Sequence, residues 1–122
     1  MSVINIVGTV CSPEMEEKYN QWYNDKHIPD LMKFKGLKKV TRYKMIGAAI
    51  GPRENPIGAK DGYPKFIAIY EFEDLQAFER FEKSQELADA GKHRVAVAEE
   101  IGLQLFWRLQ YESIKVWEQS GE

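Results

Sequence analysis

Twice along the chain an alternating apolar run gives way to a helical stripe and then to a second alternating run, and this repeated order is the strongest constraint on the fold. Ser2 to Val10 divides into two faces, Ile4, Ile6, Gly8 and Val10 against Val3, Asn5, Val7 and Thr9, which predicts a buried strand. Ser12-Pro13 then has the form of a helix start, with serine at the cap and proline in the first turn. Glu14, Glu16 and Glu17 crowd that turn, where the helix dipole favours them. Met15, Tyr19, Trp22, Tyr23 and Lys26/His27 recur at helical spacing, so one face is largely aromatic. Pro29 restricts Ile28 and predicts a helix break near His27. "PDLMKF" adds a short turn stopped by Gly36, and Leu37 to Ile46 alternates as the next strand.

The second half repeats the order. Pro64 to Phe72 is apolar on both faces, which predicts a strand covered on both sides. Asp74 caps a helix with Leu75, Phe78 and Phe81 as its stripe, and Ser84 recaps a continuation. Gly91 is expected to interrupt it, after which Val95, Ala98 and Ile101 carry the stripe to Gly102. Leu103 to Trp117 reads as one long strand or two pieces. The result is βαββαβ, the ferredoxin-like α+β order: one domain over residues 1–122, with a four-stranded antiparallel sheet and both helices on one face. The other face needs a cover. Asn5, Val7, Tyr43, Phe66, Tyr70 and Trp107 are the candidates for it, and so apolar a face predicts an isologous homodimer whose sheets close into an α+β barrel. Between the two halves lies "GAAIGPRENPIGAKDGYP", with four glycines and three prolines, read as a binding loop or cover over 47–63.

Composition removes several classes of function. The 122 residues carry a formal charge of −2, so no basic excess is present to neutralise nucleic acid or an anionic membrane. No apolar run approaches the ~18 residues of a membrane span. One cysteine, Cys11, leaves no intramolecular disulfide framework and fits a reducing cytoplasm. The two histidines stand 66 residues apart among scattered carboxylates, which gives no metal-ligand spacing, and the glycine-rich segment matches no phosphate or dinucleotide loop. No metal or cofactor is therefore expected.

The run "YNQWYNDKHIPDLMKFKGLKKVTRYKM", after the first strand and "SPEMEEKY", resembles the helix-to-strand signature of the dimeric α+β barrel superfamily, in particular its EthD-like and uncharacterised branches. "PKFIAIYEFEDLQAF" is similar to the third strand and second helix of that group. The resemblance covers residues 2 to 82 well and the remainder in outline. It implies a small cofactor-independent enzyme of isomerase, cyclase or monooxygenase type acting on an aromatic or lactone-like metabolite. A non-catalytic small-molecule carrier is the alternative. A haem-binding or haem-degrading protein is the second, because that branch places an axial histidine on the second long helix, where His93 could stand opposite Asn5.

Within this reading His27 is the acid or base, since an imidazole titrates near neutral pH. A histidine closing a helix C-terminus is the plain structural alternative. Asp25 and Asp30 are candidates to orient the ring or share its work. Trp22 and Tyr23 stand at helical spacing beside it, while Arg42 and Tyr43 are adjacent on a strand, so only one of them can face a pocket. Tyr70 and Trp107 are candidates to line the same cavity, with plain packing as the alternative.

Overall fold

The computed structural model describes residues 1–46 and 63–120. Four strands, β1 (Val3–Val10), β2 (Leu37–Lys44), β3 (Phe66–Phe72) and β4 (Gln104–Glu112), form one antiparallel sheet in the order β2-β3-β1-β4. The expected ferredoxin-like α+β fold is present. The helices are α1 (Glu16–Trp22), the short α2 (Ile28–Leu31), α3 (Leu75–Glu82) and α4 (Gln85–Ile101). The expected cover over 47–63 falls almost wholly outside the described residues. Among those described, no helix is long and apolar enough to cross a membrane.

Two helix starts follow the sequence. The Asp74 carboxylate accepts the Ala77 N–H at 2.8 Å, and the Ser84 hydroxyl accepts that of Leu87 at 3.1 Å. Ser12 does not cap with its side chain: a 3-10 turn (Pro13–Met15) precedes α1, and the Ser12 hydroxyl lies against Gly102. Gly102 ends α4 in the left-handed conformation, φ 67°, and a Cβ there would collide with Ser12 Oγ. This joint ties the start of the first helical arm to the end of the last.

Three expectations need correction. Gly91 does not interrupt α4, which runs unbroken for 17 residues. Val95 is 68% exposed, so the inner stripe instead runs through Leu87, Gly91, Arg94, Ala98 and Ile101. Pro29 does not break the helix either. The chain stays helical through it because a π turn (Tyr23–His27) comes first, with the Ile28 N–H bonded to the Tyr23 carbonyl five residues back. The wide turn gives the proline ring the room that the carbonyl four residues back would take in a regular helix.

The two faces of β1 were separated correctly by alternation, but Asn5 and Val7 belong to the covered face. Val3, Asn5 and Thr9 lie under the helices with Phe66, Ala68, Tyr70 and Phe72 of β3. The core there is aromatic: Tyr19, Phe72 and Phe81 are essentially inaccessible. The bare face carries Ile4, Ile6, Ile67 and Ile69 with Trp107, Leu109 and Tyr111. β4 has a bulge opposite Gly8/Thr9, which leaves Phe106 as the extra residue. It re-phases the strand, so Leu105 and Arg108 line the same cavity although they are three residues apart.

Candidate active site

A cavity of ≈ 270 Å³ lies between the covered sheet face and the helices. The π turn decides what enters it. In a regular helix residues five apart diverge by about 140°, yet the His27 ring stacks on Trp22, centroids 4.6 Å apart and planes 23° apart. It also meets the edge of Tyr23 at 5.0 Å. His27 is 8% exposed and lines the cavity, and its Nδ1 is buried with no hydrogen-bond partner among the described residues. Burial pushes the imidazole down to about 4, assisted by the Arg94 and Arg42 charges and opposed by Asp30. The ring is therefore neutral at neutral pH.

The sheet supplies the polar floor. Asn5 Oδ1 accepts from Gln110 Nε2 at 2.8 Å, so the Asn5 amide nitrogen is its group with no acceptor among the described residues. The Tyr23 and Tyr70 hydroxyls share a hydrogen bond, and burial raises both phenols above their usual range. Tyr19, bonded to the Thr9 hydroxyl, is pushed up by burial to about 12. All three phenols are thus protonated donors at neutral pH. Leu31 and Phe81 close the cavity from the helical side, and α4 contributes Leu87, Gly91 and Arg94.

Of the residues singled out in the sequence, His27, Tyr23 and Tyr70 meet in the cavity, with Trp22 behind the imidazole. The others go elsewhere. Asp25 is exposed, in a depression on the outer side with Lys18, Trp22 and Lys26. Asp30 pairs with Lys26 at 3.2 Å and Lys33 at 3.5 Å, and bonding from these lysines holds its carboxyl below the usual range. Neither carboxylate bonds the imidazole, so the Trp22 stack, not an acid, orients it. Arg42 donates to Asn24 Oδ1 at 2.7 Å and Asn20 Oδ1 at 2.9 Å, and its guanidinium lies 4.3 Å from the Tyr23 ring centroid. It braces Tyr23 from outside the cavity. Tyr43, about half exposed, and Trp107 lie on the opposite sheet face, so Trp107 does not share a cavity with Tyr70. His93 is exposed on α4 and does not line the cavity that Asn5 lines, which removes the paired arrangement expected for haem.

Sequence reasoning missed Thr9, Arg94 and Arg108, and put Asn5 on the wrong face. A signal for Arg94 existed: the spacing of Leu87, Ala98 and Ile101 continues through Gly91 and Arg94, two residues ill-suited to a packed stripe.

A four-stranded antiparallel sheet, with helices on one face and a histidine-bearing aromatic cavity between the layers, defines a ferredoxin-like α+β protein with an internal site. The sequence profile of DUF4286, a domain of unknown function, matches residues 1–99, and the chain belongs to that family. Solved structures share the fold at low identity. An ethyl tert-butyl ether d (EthD) family protein from Bacillus halodurans is 19% identical with a TM-score of 0.63, over 93% of this chain and 100% of that one. HapK from Hahella chejuensis is 11% identical with a TM-score of 0.65, over 99% and 100% of the two chains. SnoaB from Streptomyces nogalater, a cofactor-independent oxygenase, is 9% identical with a TM-score of 0.57, over 97% and 98%. No curated protein matches the sequence.

Proposed function

We propose that the cavity is the site of a small cofactor-independent enzyme that moves a proton on an apolar, aromatic or lactone-like metabolite, as isomerases, cyclases and cofactor-free monooxygenases do. One observation carries the reading: His27 is a buried, neutral imidazole in an aromatic cavity, with a nitrogen that no group among the described residues satisfies. Such an orphaned atom costs about 1–3 kcal/mol, which a substrate group at Nδ1 would return. His27 would take the proton. The Tyr23 hydroxyl, whose oxygen accepts from Tyr70 and whose own proton is free, and the Asn5 amide, not Arg42 or Tyr43, would stabilise the developing enolate or phenolate oxygen. That anion beside the ring would raise the basicity of an imidazole that burial holds low. In any oxygenation without a cofactor the substrate supplies the electrons, which restricts it to easily oxidised anions. The likeness in fold to a cofactor-independent oxygenase supports this class. The enzyme would work as a cytoplasmic homodimer with a small-molecule ligand.

The test is a turnover screen over enolisable lactones and phenols. His27→Gln should lower kcat by about 100-fold or more, the usual contribution of a general base, while ligand affinity stays within a few-fold. An unchanged kcat would remove His27 from the chemistry. One observation favours a second reading, a non-catalytic carrier: neither Asp25 nor Asp30 reaches the imidazole, so no carboxylate prepares it as a base. Tight binding without turnover of any bound compound would establish that reading.

A further inference from the structure

We propose that the ligand of this cavity is an organic anion, a compact ring with a carboxylate at one end, and that Arg94 is the residue that selects it. The proposal rests on the cavity being the ligand site and names the class of compound it takes. Arg94 lies partly buried on the inner face of α4. It has no ion pair and no hydrogen bond among the described residues. Among the described residues, the cavity lining holds two guanidiniums and no carboxylate. Arg108 is paired with Glu82 at 3.1 Å, which leaves the Arg94 charge without a counter-ion among the described residues. Its field is felt by the cavity groups: it adds to the lowering of His27 by burial and weakly opposes the raising of Tyr23 by burial. A guanidinium set in apolar lining matches a planar carboxylate, which it binds through two parallel hydrogen bonds.

Gly91 points the same way independently. It lies three residues before Arg94 on the same face and lines the same cavity. A glycine inside a helix is about 1 kcal/mol worse than alanine, and a Cβ at Gly91 would meet nothing within 4 Å. No packing among the described residues asks for glycine there. A ligand reaching Arg94 across that open space does. The same cavity holds His27 Nδ1, which lacks a partner among the described residues, and the Asn5 amide nitrogen, which lacks an acceptor there. A ring hydroxyl would donate to the first and accept from the second. The ≈ 270 Å³ volume lies just below the roughly 300–1,000 Å³ of ligand pockets, so the ring is single. The class is a hydroxylated monocyclic carboxylate.

Calorimetry with the full chain tests this on matched acids and amides: para-hydroxybenzoate with para-hydroxybenzamide, and para-hydroxycinnamate with its amide. At least one acid should bind about tenfold more tightly than its amide, the effect of one charge-assisted bidentate pair. Arg94→Gln should erase that preference, leaving acid and amide within about twofold of each other, and Arg94→Lys should restore part of it. Gly91→Ala should raise the Tm of the free protein while weakening the acid, and Gly91→Leu should abolish binding. Amides bound as tightly as acids, a preference that survives Arg94→Gln, or no binding of any pair at millimolar concentration would each overturn the proposal. An acid whose binding needs Arg94 but which is never turned over would sustain the anion site while the enzymatic reading falls. Turnover of a neutral compound that needs His27, with no preference for acids, would do the reverse.

Discussion

His27 is held by burial in its neutral form, and this has a consequence for stability that needs no ligand. Its folded value is about 4, against 6.5 for the free side chain. Because the unfolded chain binds the proton more readily, the contribution is complete above pH 6.5 and is lost as pH falls toward 4. The shift corresponds to at most about 3 kcal/mol. The lysine-held carboxyl of Asp30 titrates below its ordinary 3.8, outside this window. Urea unfolding at intervals from pH 7 to pH 4 should therefore show a stability decline in the native protein that is largely absent in His27→Gln. Parallel declines would mean that the ring is more solvated than its 8% exposure implies.

At the scale of the element, the π turn is the part of the site that sequence reasoning could not reach. The caps at Asp74 and Ser84 were legible because an N-cap is a local choice between side chain and backbone. Pro29 was legible only as a conflict. It cannot sit in a regular helix, and two resolutions exist: end the helix, or widen the turn before it. Local rules favour the first. Packing of Tyr23, and the Trp22–His27 stack at 4.6 Å, select the second. Gly91 was misread for the same reason: a glycine weakens a helix without ending it when the flanking turns are packed. Pro29→Ala removes the conflict, so the turn is expected to tighten toward a regular helix and to swing the imidazole off the indole. Far-UV circular dichroism should be unchanged, while the His27 Hε1 resonance loses the upfield shift that the Trp22 ring imposes. A retained upfield shift would show that packing alone holds the wide turn.

For the whole molecule, alternation divided each strand into two faces but did not say which one the helices cover. In β1 the covered side holds Asn5 and Thr9, while the bare side holds Ile4 and Ile6. Hydrophobicity alone points the wrong way, because the polar pair is there to serve a cavity. The correction leaves the barrel expectation on stronger residues than those first assigned to it. Ile4, Ile6, Ile67 and Ile69 form the centre of the bare face, and Leu109 and Tyr111, 40% and 54% exposed, extend it. Apolar side chains in that arrangement call for a partner sheet, and a second copy offers the self-complementary one. Light scattering at micromolar concentration should give twice the 14.2 kDa chain mass. Leu109→Glu, opposite Ile6 in the sheet, should give a monomer. Because the His27 cavity is lined from the other face, that monomer should keep the native His27 resonance. A native chain that runs as a monomer would sink the barrel. A Leu109→Glu chain that stays dimeric would move the interface off the bare sheet face.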